Sequence, residues 1–490
     1  MRIDRKLLVF SIATAFFLLL ICTKCSPLYP FNDWVDVHCF LTIGRGIKHG
    51  LVPYRDLYEQ KGPLLYFIVA LATYISETSF APLFVTEILA FSMFIYQSMK
   101  TVFLWTENKI VYVTAPFVYM TIIASRAFDY GFSAEELCMP FLAWTLQIIL
   151  MRMRNKSVLR KSDYLTIGLC AAVSFWTKYV FCGYFAGLAC IVALWYLSRK
   201  QGKEIIRAVL WAMIGFAVLT CPIMGWYAVK GGIKDLFKAY FYNNIMVYSE
   251  GRDLAAFLRQ FANMLFRQNT AWFILGMMGI IALLAGIKNN KWEFITVAAG
   301  WIMLVLFIMM NRFLWPYYTL ILSMFTPLVL IPIGSITANI KIKSSITIPV
   351  LSVMSLALAT GIAYYSSPNT YLIGHSKDEL PQYEFAKIMH AQKDNPTLLN
   401  YDFLDGGFYY AAEIMPVNRF SCKFNVGLPE QMEEQNHIVE EGLVDFVVTR
   451  DLRAIPGNRY RLKEKKGFYS YPGYYDYYLF ERIPEGEISN

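Results

Sequence analysis

The sequence predicts an all-α polytopic membrane protein with about eleven transmembrane helices and a small C-terminal α/β domain. Hydrophobic residues make up 57% of the 490 residues and charged residues only 17%. A soluble domain carries about a quarter charged residues, so this composition indicates a membrane protein. Lys and Arg lie largely in short loops between apolar runs, which accounts for the net charge of +9 without nucleic acid as a partner.

Eleven apolar segments approach the length of about 20 residues that a helix needs to cross a bilayer. They are 7–23, 81–101, 108–125, 135–151, 163–178, 180–198, 206–229, 270–287, 293–311, 317–335 and 345–365. Lys178 separates the fifth from the sixth segment and indicates a turn at the membrane surface.

A shorter apolar run at 63–77 decides the topology. If it crossed the bilayer, five bases would lie outside: Arg152, Arg154, Lys156, Arg160 and Lys161. If it forms an interfacial or re-entrant helix, they lie in the cytoplasm, as the positive-inside rule prefers. The same choice puts further bases in the cytoplasm: Arg2, Arg5, Lys6, Arg199, Lys200, Lys203, Lys288, Lys291, Lys341 and Lys343. We therefore predict a plasma or inner membrane protein with a cytoplasmic N-terminus and an extracytoplasmic C-terminal region.

Two domains follow from this topology. Residues 1–365 form the transmembrane domain, with a first external loop at 24–80, and residues 366–490 form the extracytoplasmic domain. In the second domain three β-type runs alternate with two helical patterns, which predicts a small α/β fold. The runs are 397–403, 444–450 and 477–482, and the helical patterns are 379–393 and 428–442.

The cysteines and the common motifs exclude several classes of function. The nine cysteines show no metal-binding spacing, and the C-terminal region holds only Cys422, so a disulfide framework is not expected. The sequence contains no Walker loop, no G-x-S-x-G nucleophile elbow and no dinucleotide fingerprint. A cytosolic nucleotide site is therefore not predicted.

Charged residues are concentrated in the first external loop, where they flank apolar sequence. Ionisable groups held against a bilayer are costly, so they are usually paired and often functional. Asp36 begins a helix-like stretch that ends at Gly50. An acid at a helix start is favoured by the backbone dipole alone. The alternative is a general base that takes a proton from an acceptor hydroxyl.

The second external loop also carries acids at a helix start. Glu135 and Glu136 begin the fourth apolar segment. They are either acids that favour the helix N-terminus or a pair that shares the role of a base with that of orienting a metal or an acceptor. Because no His/Cys cluster supports zinc, any divalent cation would have to be held by oxygen ligands.

Basic residues at the outer interface are candidates for binding an anionic lipid phosphate. These are Arg55, Lys61, Arg126 and Lys178. The alternative for each is contact with lipid head groups, or an ion pair with Asp56 or Glu59.

Aromatic and amide side chains in the loop at 230–269 suit a sugar. The candidates are Tyr242, Asn244 and Tyr248. An aromatic belt at the membrane interface has the same composition, so this signal leaves both interpretations open.

Several motifs occur in one order along roughly residues 1–335. They are Asp36, a G-x-x-PYRD element (Gly50, Pro53 to Asp56), an E-x-K-G-P turn (Glu59, Lys61, Pro63), GFSAEE (131–136), Thr177-Lys178 and RFLWPYY (312–318). In these motifs the chain resembles polyprenyl-phosphate-sugar-dependent glycosyltransferases of the GT-C superfamily. The resemblance is to the branch that includes protein O-mannosyltransferases and lipid A aminoarabinose transferases.

This resemblance implies a lipid-linked sugar phosphate as donor and transfer to a lipid, glycan or protein acceptor at the extracytoplasmic face, usually with inversion. It implies that Asp36 is the general base, that Lys61 contacts the lipid phosphate and that Glu135 is the second acid. Asp56, Glu59 and Glu136 are further candidates for substrate binding.

The chain departs from the family pattern at three places. The second acid is Glu135 where many relatives have Asp, Gly62-Pro63 stands where Pro-Pro is usual, and Pro316 occupies the position of a frequent His. These departures leave metal use and acceptor choice open.

Two other classes of function compete with a transferase. A transporter or flippase for lipid-linked envelope glycans should place ionisable groups near the bilayer midplane and often contains inverted repeats. The sequence shows no internal repeat, and Glu87 is the main charge inside an apolar segment. A non-catalytic assembly subunit would use the C-terminal region as its binding module.

Overall fold

The computed structural model describes residues 4–248, 253–310, 314–340 and 346–484. Several residues named above lie outside this part of the chain: Arg2, Arg312, Phe313, Lys341 and Lys343. They belong to the proposed cytoplasmic charges and to the RFLWPYY motif.

The described residues are predominantly helical. The α-helices in chain order are α1 (Arg5–Cys22), α2 (Val35–Lys48), α3 (Pro63–Ile75), α4 (Ala81–Val102), α5 (Val111–Ile123), α6 (Ala134–Arg154), α7 (Lys161–Thr177), α8 (Cys182–Ser198), α9 (Lys203–Lys230), α10 (Ile233–Leu236), α11 (Leu254–Asn263), α12 (Thr270–Ala285), α13 (Ile287–Ile308), α14 (Leu330–Ile336), α15 (Thr347–Ser366), α16 (Pro381–Gln392), α17 (Phe408–Ala411) and α18 (Pro429–Glu441).

Other helical turns and four strands complete the described structure. The 3-10 segments are Tyr179–Phe181, Pro316–Val329, Thr337–Asn339, Thr370–Leu372 and Lys377–Glu379, and the π-helical segments are Phe237–Val247 and Met264–Gln268. The strands are β1 (Leu398–Asn400), β2 (Phe446–Thr449), β3 (Tyr460–Ser470) and β4 (Gly473–Arg482).

Eight helices of the described chain are long and apolar enough to cross a membrane. A ninth span results if Leu254–Gln268 and Thr270–Ala285, which meet at a bend of 92°, count as one. The chain is thus a multi-pass membrane protein, as predicted. Three of the eleven predicted spans form shorter helices: α5 with 13 residues, α7 with 17 and α12 with 16. The count of eleven therefore stays a prediction.

The short apolar run after the first charged loop forms α3. The helix begins at Pro63, whose fixed φ and missing N–H suit the first helical position. Its 13 residues span about 20 Å, short of the ~30 Å of a hydrocarbon core. Helix α5 has the same length, so the interfacial interpretation of α3, on which the predicted orientation of both termini depends, stays a prediction.

The chain divides into two compact units, each assembled from separated segments. The first unit comprises Met1–Ser26, Phe84–Ile223 and Gly251–Tyr371. Within it, α1 and α5 pack on α15, α6 packs on α7, and α8 packs on α13. Helices α7 and α9 approach closely at Gly168 and Gly215. A Cβ on Gly168 would lie 2.0 Å from the carbonyl oxygen of Ala212, and a Cβ on Gly215 would lie 2.1 Å from that of Leu165. Small residues at helix crossings allow such packing in membranes.

The second unit comprises Pro27–Leu83, Met224–Glu250 and Leu372–Asn490. Most of the first external loop thus belongs to the same unit as the C-terminal residues. The predicted domain boundaries, at 1–365 and 366–490, stay a prediction.

Helix α2 packs on α3 at Gly44, where a Cβ would lie 2.7 Å from a methyl carbon of Val69.

The sheet of the second unit confirms the predicted α/β character of the C-terminal region. Its strand order is β1-β2-β4-β3, with β1 and β2 parallel and the other pairs antiparallel. The predicted runs correspond to β1, β2 and β4, and the helical patterns to α16 and α18. Strand β3 was missed because it is rich in charge and largely exposed, so it lacks the apolar alternation of a half-buried strand.

Helix α2 is held to the C-terminal segment of this unit by buried polar contacts. The Thr42 hydroxyl donates to Oδ2 of Asp405 over 2.7 Å, and Nη1 of Arg45 donates to the carbonyl oxygen of Tyr409 over 3.1 Å. Oδ1 of Asp405 accepts the N–H of Gly407 at 2.8 Å. Asp405 therefore satisfies buried donors from both segments.

We expect Asp405→Ala to destabilise the protein by about 1–3 kcal/mol, because the Thr42 hydroxyl and the Gly407 N–H lose their buried acceptor. Thermal unfolding in detergent should show a lower Tm. The control is Asp394→Ala, which removes an exposed carboxylate. Equal Tm values for the two variants would show that the Asp405 contacts do not stabilise the unit.

Candidate active site

The second unit brings the predicted base and the predicted phosphate ligand together. Asp36 lies in the first turn of α2, and Lys61 lies just before α3. Nζ of Lys61 is 3.6 Å from Oδ2 of Asp36, and the two side chains are 13% and 14% exposed. The pair is thus largely shielded from solvent. This arrangement places an acid and a cation within reach of one ligand.

The backbone of Lys61 is hydrogen-bonded through both its N–H and its carbonyl group. The N–H donates to Oε2 of Glu59 at 2.6 Å and to the hydroxyl of Tyr66 at 2.9 Å. The carbonyl oxygen accepts the hydroxyl of Tyr54 at 2.7 Å. These bonds hold the backbone of the residue that carries the cation in one position.

Glu59 is buried beneath this turn. Its Oε2 also accepts a hydrogen bond from the hydroxyl of Tyr66. Burial raises the pKa of Glu59 to about 7, the nearby Lys61 opposes the rise, and Asp36 adds to it. A carboxyl group with this pKa exchanges a proton near neutral pH. It is therefore suited either to support the turn or to take part in proton transfer.

Arg55 and Asp56 form an ion pair with each other. Nε and Nη2 of Arg55 each lie 2.8 Å from an oxygen of Asp56, and this contact holds the pKa of that carboxyl below its ordinary value. Asp56 also accepts the N–H of Val52 at 2.7 Å, and Arg55 donates to the carbonyl oxygen of Lys230 at 2.6 Å. The structure thus gives both residues a role in holding the loop, and their proposed ligand contacts stay predictions.

The π-helical segment Phe237–Val247 contacts the same loop. Nδ2 of Asn243 donates to the hydroxyl of Tyr58 at 3.1 Å, and Nδ2 of Asn244 donates to the carbonyl oxygen of Gln60 at 2.7 Å. Asn244 therefore supports the backbone next to Lys61. Of the other two candidates from this region, Tyr242 is exposed and Tyr248 is buried.

Arg419 from the C-terminal segment supports the loop, and sequence reasoning missed it. Its Nε and Nη2 donate to the carbonyl oxygen of Tyr54 at 3.1 and 2.9 Å. Tyr54 has φ of +72°, a conformation that a bulky residue rarely adopts. The carbonyl oxygen of Arg419 accepts the N–H of Tyr58 at 2.9 Å. No linear signal indicates these contacts, because the partners are more than 350 residues apart.

The first unit brings together a second predicted pair. Glu135 is the second residue of α6, and one of its oxygens forms an ion pair with Lys178, which follows the end of α7. The ammonium group of Lys178 also lies 3.7 Å from the ring centroid of Tyr318, a cation–π contact. Oε2 of Glu135 has no hydrogen-bond partner in the described part of the chain.

Glu136 lies in a different buried cluster of the first unit. The N–H of Phe132 donates to Oε1 of Glu87 at 2.7 Å and to Oε2 of Glu136 at 2.9 Å. The hydroxyl of Thr23 donates to Glu87 at 2.9 Å. Gly131 has φ of +94°, and a Cβ there would lie 2.1 Å from the Thr23 hydroxyl oxygen, so the turn requires glycine. The two neighbouring acids of α6 thus have separate environments.

Arg126 is paired within its own loop. Its Nη1 lies 3.0 Å from Oδ1 of Asp129, whose carbonyl oxygen accepts Nδ2 of Asn369 at 2.5 Å. The proposed contact of Arg126 with a donor phosphate stays a prediction.

Among the described residues, no group of three or more His, Cys, Asp or Glu side chains is arranged to hold a metal ion.

A family model matches most of the chain. The model of the competence-induced protein Ccs4 N-terminal domain matches residues 3–350. The chain belongs to this family. A comparison with curated proteins found no match.

Two solved structures share the fold of this chain. The chain is similar to ArnT from Cupriavidus metallidurans in the apo state, with 11% sequence identity and a TM-score of 0.65. It is also similar to the same protein bound to undecaprenyl phosphate, with 11% identity and a TM-score of 0.58. Each match covers 96% of this chain and 97% of the other. The chain therefore has the GT-C fold that the first-loop motifs predicted.

The raised pKa of Glu59 predicts a specific dependence of stability on pH. Because the pKa of about 7 in the folded state exceeds the ordinary value of 4.5, the folded protein binds more protons between these values. Stability should therefore fall as the pH rises through this window, by about 3 kcal/mol at most. Thermal unfolding measured from pH 4.5 to 8 in detergent should show the decline.

The matched variant is Glu59→Gln, which keeps an acceptor for the Lys61 N–H but does not titrate. We expect its Tm to change less than that of the wild type over the same pH range. Parallel curves for the two proteins would contradict a raised pKa at Glu59.

Proposed function

We propose that the protein is an integral membrane glycosyltransferase that moves a sugar from a polyprenyl-phosphate-linked donor to an acceptor hydroxyl. The observation that carries the proposal is the ion pair of Asp36 and Lys61 in the first external loop. The likeness of the fold to ArnT bound to undecaprenyl phosphate supports this donor class. Transfer takes place at the extracytoplasmic face, with inversion, to a lipid, glycan or protein acceptor.

In this proposal the phosphate of the donor binds Lys61 and replaces the carboxylate of Asp36 as its partner. The freed carboxylate accepts the proton of the acceptor hydroxyl. The acceptor oxygen then forms a bond to the anomeric carbon, while the bond from that carbon to the phosphate oxygen breaks. Polyprenyl phosphate leaves with the electron pair, and the Lys61 ammonium group stabilises the negative charge on it.

The remaining candidates receive supporting roles in the proposal. Arg55, Arg126 and Lys178 supply further cations for the anionic donor, and Glu135 orients the acceptor. The other substrate contacts would come from Asp56, Glu59, Glu136, Tyr242, Asn244 and Tyr248. The contacts of Asn244 with Gln60 and of Arg55 with Asp56 indicate that these residues also shape the loop.

We expect Asp36→Asn to lower sugar transfer by about 10²–10⁴-fold, because the amide does not accept the hydroxyl proton. The measurement is transfer of radiolabelled sugar in purified membranes, supplied from a panel of polyprenyl phosphate sugars. Asp394→Asn makes the same chemical change at an exposed position and should retain activity.

Wild-type activity that persists in Asp36→Asn would exclude Asp36 as the base. No turnover by the wild type with any donor would contradict the transferase and favour a transporter or an assembly subunit.

Lys61→Met should raise the KM for the donor, because it removes the cation that binds the donor phosphate. Lys61→Arg should restore part of the donor binding, because arginine retains the positive charge.

Variants of the buried Glu135–Lys178 pair can separate a role in stability from a role in catalysis. Lys178→Met should destabilise the protein by about 3–5 kcal/mol, because it leaves Glu135 buried without its cation. The double variant Glu135→Gln with Lys178→Met should recover most of this loss in thermal unfolding. If the pair binds substrate, transfer stays low in the stable double variant. Wild-type transfer in that variant would assign the pair to stability alone.

A further inference from the structure

Two cysteines from opposite ends of the chain lie side by side in the second unit. Sγ of Cys39, on α2, is 3.9 Å from Sγ of Cys422, in the C-terminal segment. Both side chains are buried, with exposures of 4% and 0%. The cysteine spacing of the sequence did not indicate this pair, because 383 residues separate its members.

Hydrogen bonds hold the backbone on both sides of Cys422. The hydroxyl of Tyr409 donates to the carbonyl oxygen of Ser421 at 2.8 Å, and the N–H of Lys423 donates to the carbonyl oxygen of Phe403 at 3.0 Å. On the other side, α2 is tied to the same segment three residues beyond Cys39 by the bond from Thr42 to Asp405. The two thiols therefore face each other from segments that are already docked.

We infer that Cys39 and Cys422 form a disulfide bond in the mature protein. The sulfur atoms need to approach from 3.9 Å to the bond length of about 2.05 Å. The predicted topology puts both residues on the extracytoplasmic side, where disulfides form and persist. This inference rests on that orientation and not on the proposed transfer of sugar.

The bond forms by thiol–disulfide exchange with an oxidised protein or low-molecular-weight disulfide. One cysteine thiolate attacks the oxidant and forms a mixed disulfide, and the second thiolate then displaces the oxidant as a thiol. The two cysteines lose two electrons and two protons in total, and the oxidant disulfide is reduced to two thiols. Contact with Cys422 and burial raise the pKa of Cys39, and burial raises that of Cys422. Exchange is therefore fastest while the chain folds, before the thiols are buried.

The bond would join the first external loop covalently to the C-terminal segment. Asp36 lies on α2, three residues before Cys39 and on the same helical face. The disulfide would thus anchor the helix that carries the proposed base.

The test is peptide mapping of full-length wild-type protein purified from membranes without reductant. The protein is denatured, its free thiols are alkylated, and the digest is analysed by mass spectrometry before and after reduction. We expect a linked pair of peptides containing Cys39 and Cys422, lighter than the two free peptides by two hydrogen atoms. Cys22, Cys138 and Cys170 serve as internal controls and should be alkylated without reduction. Alkylation of Cys39 and Cys422 before reduction, or a link from either to another cysteine, would overturn the inference.

A stability measurement tests the same bond without relying on peptide recovery. Reductant should lower the Tm of the wild type and leave the Tm of the Cys39→Ser, Cys422→Ser double variant unchanged. An equal response of both proteins to reductant would contradict a disulfide at this place.

Discussion

The pairing of charges in places with little solvent is the constraint on which this structure depends. A buried charge is stable only when a partner of opposite sign or several hydrogen bonds compensate for lost hydration. Three of the predicted basic ligands accordingly have an acidic partner within their own unit: Lys61 with Asp36, Lys178 with Glu135, and Arg126 with Asp129. Arg55 pairs with Asp56 at a more exposed position. A ligand with an anionic phosphate would have to compete with these carboxylates. Such competition couples donor binding to the release of an acid, which is what the proposed mechanism requires of Asp36.

The first external loop is not an independent structure. Arg419 holds the carbonyl oxygen of Tyr54, and Asp405 holds α2. The C-terminal residues thus form part of the unit that contains the proposed base. This gives the region a physical role, since a loop with several short turns and a residue at positive φ needs outside contacts to keep one conformation.

Sequence reasoning identified Asp36, Lys61, Glu135 and Lys178 because charges beside apolar helices are rare and conspicuous. It did not predict how they pair. Glu135 and Glu136 are neighbours in the chain, yet one contacts Lys178 and the other shares the N–H of Phe132 with Glu87. Adjacent helical residues project about 100° apart, so two acids in one motif enter different surroundings. Arg419 was missed because surface arginines are common and nothing local distinguishes it.

The sequence by itself determined that the protein is a multi-pass membrane protein with a GT-C fold and a small α/β region, because hydrophobic composition, the length of apolar segments and the order of motifs are properties of the linear chain. Only the tertiary structure decided that the first loop and the C-terminal segment form one compact unit. It also decided which acid meets which cation and that Cys39 meets Cys422. These contacts join residues separated by up to several hundred positions. Their energies depend on burial and distance, and neither quantity is encoded in spacing along the chain.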